Sequence, residues 1–90
     1  MSRVLLVEDE PAIREGLATC LRLRGHEVET SEDLAGAREA LSSSVRFDVV
    51  VTDWTLPDGQ ISELGDHLQE TYWIIVSGQV EDRHGWLSYC

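Results

Sequence analysis

Three short apolar runs, each cut off by a polar or acidic residue, constrain the fold of this chain more than any other feature. Val4-Leu5-Leu6-Val7 stops at Glu8-Asp9-Glu10, Phe47-to-Asp53 (FDVVVTD) ends on an acid, and Trp73-Ile74-Ile75-Val76 closes at Ser77-Gly78. Continuous rather than alternating hydrophobicity marks strands buried on both faces, as in a parallel sheet. The segments between the runs read as helices. Pro11 suits a first helical turn, Ile13, Leu17, Cys20 and Leu21 follow at helical spacing, and Gly25 supplies the stop, with Arg22 and Arg24 in the last turn. His26–Thr30 is polar apart from Val28 and fits an edge strand. Ser31 or Glu32 then begins a second helix carrying Leu34, Ala37, Ala40 and Leu41, which Ser42-Ser43-Ser44 ends. Leu56–Gly59 reads as a loop. Ile61, Leu64 and Leu68 form a third, shorter stripe weakened by Gly65, and Gln79–Cys90 shows no period. The order β-α-β-α-β-α-β predicts an α/β fold with right-handed crossovers and a ligand edge at the carboxyl ends of the strands.

The 90 residues suffice for one domain, 1–90. Seventeen acids against seven arginines and no lysine give a net charge of −10. Repulsion from phosphate backbones and anionic lipid argues against nucleic-acid or membrane-surface binding. Two isolated thiols, Cys20 and Cys90, suit a reducing compartment rather than a disulfide scaffold. With no apolar run long enough to span a bilayer and no signal-type segment, a cytoplasmic location is expected.

The chemistry gathers at the predicted ligand edge. Glu8-Asp9-Glu10, Asp53 and Ser77 all follow strands, and carboxylates brought together there repel one another unless a hard cation lies between them. Mg²⁺ fits such a set, because it takes oxygen ligands and uses one or two protein carboxylates together with phosphate. A carboxylate ending a strand is also a credible phosphoryl acceptor. Each residue has a plainer reading. The acidic triplet can be a solvated helix cap favoured by the dipole, Asp53 a strand-ending turn residue, and Ser77-Gly78 ordinary turn chemistry. Trp54, Trp73 and Trp86 read as packing or surface residues. His26, His67 and His84 lack metal-ligand spacing.

VLLVEDEP (4–11), VVVTDWTLPDG (49–59) and IIVSG (74–78) together resemble the receiver domain of bacterial two-component response regulators, and the separation of Asp9 from Asp53 fits that family as well. The resemblance implies a flavodoxin-like, three-layer fold in which Asp53 accepts a phosphoryl group from a sensor histidine kinase. It also implies Mg²⁺ held by Asp9, Asp53 and the backbone carbonyl of Thr55, with Glu8 assisting directly or through water, and Ser77 as the switch hydroxyl. Pro57 and Gly59 match the turn after the acceptor, and Trp54–Pro57 is closest to regulators joined to a DNA-binding output domain. The chain departs from the family in having no lysine, in a short interval from Asp53 to Ser77, and in ending before a fifth strand. The expectation is therefore a truncated, four-stranded receiver that phosphorylates only itself and is not an enzyme acting on external substrate. Its uncovered flank predicts a homodimer. A non-phosphorylated pseudo-receiver serving as an interaction module is the main alternative. An aspartyl phosphohydrolase is disfavoured because Thr55 stands where such enzymes carry their second acid.

Overall fold

The computed structural model describes residues 2–53, 55–67, 71–77 and 79–80. Strand β1 (Arg3–Val7) lies between β2 (Glu27–Ser31) and β3 (Val49–Thr52), and β6 (Tyr72–Ser77) pairs with the far side of β3. All three of these pairings are parallel, with Val4 opposite both Val28 and Val49, and Val51 opposite Ile74. The polar strand β2 is the edge, as its composition predicts.

Successive residues of the central strands serve opposite faces. Leu5, Val7 and Val50 join Leu34, Ala37, Phe47, Leu56, Ile61 and Leu64 in one core. Val4, Leu6, Val49 and Val51 join Ala18, Leu21 and Ile74 in the other. Both faces of β1 and β3 are thus sealed, which is why their sequences are uninterrupted hydrophobic runs. Helix α1 (Pro11–Leu23) covers the second face and α2 (Leu34–Ser42) the first. At the opening of the sheet, Asp48 ties three strands together. Its carboxylate accepts from Arg3 N–H (2.8 Å), its own N–H donates to the Arg3 carbonyl, and its carbonyl accepts from Tyr72 N–H.

Five expectations need correction. Ile13 is 48% exposed, so the buried stripe of α1 runs through Ala18 and Leu21 with Leu17 packed at its margin. Ser31 belongs to β2 and Glu32 precedes the helix, so α2 starts later than predicted. Asp33 is its N-cap, accepting from Gly36 N–H at 2.8 Å. The Leu56–Gly59 loop is the turn of a small hairpin, in which β4 (Thr55–Leu56) pairs antiparallel with β5 (Gly59–Gln60). The third stripe winds as a 3₁₀ segment, Ile61–His67, burying Ile61 and Leu64; Leu68 lies outside the described residues. Finally, the sheet is not limited to four strands. Gln79–Val80 forms β7, which pairs antiparallel with Val76–Ser77 and supplies a short fifth strand at the far edge. Trp86, His84, Cys90 and the rest of 81–90 lie outside the described residues, as do the side chains of Trp73 and His67. Among the described residues, no helix is long and apolar enough to cross a membrane.

Candidate metal centre

The end of β1 delivers the first acids. Glu8 N–H donates to the Ser31 carbonyl at 2.9 Å, so the chain stays locked to β2 one residue past the strand. This leaves Glu8 only 5% exposed. The acidic triplet is then divided by its surroundings. Glu10 takes the N-cap position of α1 but makes no side-chain capping bond. Glu8 instead accepts Glu10 N–H on its Oε1 (3.1 Å), while its carbonyl accepts the Arg14 guanidinium (2.9 Å). Asp9 is exposed. Asp53 N–H donates to the Val7 carbonyl at 3.4 Å, carrying the β1–β3 ladder to its last rung and placing Asp53 beside the end of β1. The hydroxyl of the buried Thr52 donates to the Asp53 carbonyl at 2.9 Å.

Carboxylate oxygens of Glu8, Asp9 and Asp53 all lie within 4.8 Å of one another. Opposite ligands of an octahedral Mg²⁺ stand about 4.2 Å apart, so the triad is compact enough to offer oxygen donors to a cation of that size. The electrostatics fit as well. The Glu8 carboxyl is pushed above the ordinary carboxylate range, chiefly by burial and further by the charges of Asp53 and Asp9, against the lowering effect of the Glu10 N–H. A divalent cation would turn that repulsion into attraction.

A carboxyl group raised in the folded state favours its neutral form. Its stabilising contribution is present below the unfolded-state pKa and disappears as pH rises through the folded one. Glu8→Gln keeps the acceptor for Glu10 N–H and mimics the neutral form. In chelator-treated protein it is expected to raise the unfolding temperature at neutral pH and to give no gain near pH 4. Equal shifts at both pH values would contradict the repulsion argument.

The remaining predicted residues are placed less completely. Thr55 opens β4 two residues beyond Asp53 and is exposed. Ser77 closes β6 at the same sheet edge, its side chain outside the described residues. Trp54 is likewise outside them. His26 lies elsewhere, its Nδ1 accepting from Ser2 N–H at 3.2 Å. Arg14, one turn into α1, is a site neighbour that the sequence motifs do not single out, and its place in the first helical turn is the one local signal that it can reach the Glu8 carbonyl.

Residues 4–84 match the family model of the response regulator receiver domain. The chain is 40% identical over 75 residues to the response regulator MprA of Mycolicibacterium vanbaalenii and 34% identical over 70 residues to the response regulator protein PilR of Pseudomonas aeruginosa. These alignments take in 73% and 78% of this chain, but the chain spans only 31% and 16% of the relatives' lengths. Two solved structures contain the Thermotoga maritima response regulator TrrA. One is its complex with Mg²⁺-BeF (TM-score 0.78, 24% identity, 94% of this chain and 90% of that chain). The other is its complex with the histidine kinase ThkA (TM-score 0.75, 28% identity, 96% and 79%). The fold is flavodoxin-like, and the match over residues 4–84 shows that this chain belongs to the response regulator receiver domain family of two-component systems.

Proposed function

We propose that this chain is a phosphorylation-dependent switch in which Asp53 accepts a phosphoryl group from a sensor histidine kinase with the help of Mg²⁺. The observation that carries this reading is the convergence of Glu8, Asp9 and Asp53 at the carboxyl edge of the sheet. TrrA, a structural relative, is found both with Mg²⁺-BeF and with a histidine kinase, which supports the same ligand and partner class here. A carboxylate oxygen of Asp53 attacks phosphorus, the phosphorus–nitrogen bond of the phosphohistidine breaks, and an acyl phosphate forms on Asp53. Asp9, Asp53 and the Thr55 carbonyl would hold Mg²⁺, with Glu8 supporting them. When bound, the ion neutralises charge on the phosphoryl oxygens. The Ser77 hydroxyl would donate to a phosphoryl oxygen and report the modified state to a partner surface. No external substrate is turned over. The reading carries a cytoplasmic location, a fused or separate output domain, and self-association.

Intact-mass analysis after incubation with acetyl phosphate tests it. Wild type with Mg²⁺ is expected to gain one phosphoryl group, whereas Asp53→Asn and chelator-treated wild type gain none. A folded wild type without an adduct would overturn the proposal in favour of the pseudo-receiver.

A further inference from the structure

The turn of the β4–β5 hairpin is bonded to a helix far from it in sequence. Asp58 extends its carboxylate to the start of α2, where Oδ1 accepts Leu34 N–H at 2.8 Å and Oδ2 accepts Ala35 N–H at 3.0 Å. Helix α2 already has a local cap, because Asp33 Oδ1 takes Gly36 N–H. Together the two acids satisfy the first three amide groups of the helix, and Ala37 N–H begins the helical ladder on the Asp33 carbonyl. A single local cap is the usual arrangement. The second carboxylate, coming from outside, makes the end of α2 an anchor for the hairpin.

The rest of the hairpin leaves it little freedom around that anchor. Leu56 is buried against Leu34, Ile61 and Leu64. Gln60 N–H donates to Glu63 Oε2 at 2.9 Å, tying β5 to the 3₁₀ segment. Thr55 is paired with Gln60 and Leu56 with Gly59, so a displacement of the turn is transmitted to Thr55, two residues from the phosphoacceptor. The bond from Leu34 N–H, then that from Ala35 N–H, with help from the Arg38 charge, holds the Asp58 carboxyl below its ordinary range. A lowered carboxyl contributes stability above its unfolded-state pKa and loses it only as pH falls through the folded one. The anchor therefore stays charged throughout the neutral range.

The geometry points to Asp58 as a positioning residue: by fastening the hairpin to α2, it sets the backbone of Thr55 at the metal and phosphoacceptor site, and it couples occupancy of that site to the α2 face. This inference rests on the function proposed above. Coupling is reciprocal, so an ion that requires one hairpin position must also stabilise the Asp58–α2 bonds.

Asp58→Ala and Asp33→Ala separate positioning from capping. Both remove bonds from the same helix end, but only the first frees the hairpin. The readouts are the Mg²⁺ dissociation constant from tryptophan fluorescence and amide hydrogen exchange at Leu56 and Gln60. Asp58→Ala is expected to weaken Mg²⁺ binding roughly 2- to 30-fold and to speed exchange in the hairpin. Asp33→Ala should leave both within twofold of wild type, and Asp58→Asn, which keeps one acceptor oxygen, should fall between. If wild type binds Mg²⁺ and Asp58→Ala binds it equally well, or if the two alanine variants weaken binding alike, the positioning role is overturned while the receiver function stands. A folded wild type that shows no Mg²⁺ response overturns both.

Discussion

Mg²⁺ is expected to raise the unfolding temperature of the wild-type chain and to leave that of Asp53→Asn unmoved. Three carboxylates within 4.8 Å of one another hold the metal-free site in a repulsive state, and burial of Glu8 aggravates it. A ligand that binds only the folded state stabilises by RT ln(1 + [L]/Kd), about 1.4 kcal/mol at tenfold excess over Kd. For a domain of this size that is a shift of roughly 5–10 °C. Asp53→Asn removes a ligand and a repelling charge together. Its metal-free form should therefore melt above metal-free wild type, and addition of Mg²⁺ should reverse the order. Asp9→Ala should lose the response in the same way. Thermal unfolding followed by circular dichroism, with and without Mg²⁺, decides the matter. A shift of equal size in wild type and Asp53→Asn would mean that the ion binds elsewhere.

The largest structural effect is expected at Gly59. Its φ of +147° is a conformation that side-chain-bearing residues rarely adopt. A Cβ there would overlap the Glu63 carboxylate and stand 2.7 Å from Leu34 Cδ1. Glu63 can swing away only by giving up Gln60 N–H, and Leu34 sits in the sealed core. Gly59→Ala should therefore cost about 2–4 kcal/mol from backbone strain and overpacking together, a fall in melting temperature of more than about 10 °C. Gly16 supplies the contrast. It lies within α1, and nothing stands within 4 Å of a Cβ placed on it. Gly16→Ala should stabilise by up to about 1 kcal/mol through helix propensity. Urea denaturation of the two variants checks the pair, and equal effects of the same sign would refute the steric account.

The elements most legible in the sequence are those with the strongest local signals. Strands β1 and β3 announce themselves because both their faces are buried, and α1 because a proline opens it and a glycine closes it. The acids of the metal centre were legible for a related reason. In a parallel sheet the residues just past the strands meet at one edge, so strand order alone brings Glu8, Asp9 and Asp53 together. Local pattern and structure part where the deciding partner is remote. Ser31 extends β2 because it pairs with Val7, so Asp33 rather than Ser31 or Glu32 caps α2. Gln79–Val80 becomes a strand through its pairing with β6, which no periodicity in a two-residue segment can reveal.

The parallel sheet and the edge at which the acids collect can be read from the sequence, because burial on two faces and on one helical face leaves distinct periods in the chain. How those acids differ depends on tertiary contacts. Glu8 is buried and Asp9 exposed because the Glu8 amide is bonded across to Ser31. Asp58 looks like a turn residue in the sequence, yet its partners are amides 24 and 23 positions away. Hydrogen bonds of that range depend on where two distant segments converge, and hydrophobic periodicity carries no record of it.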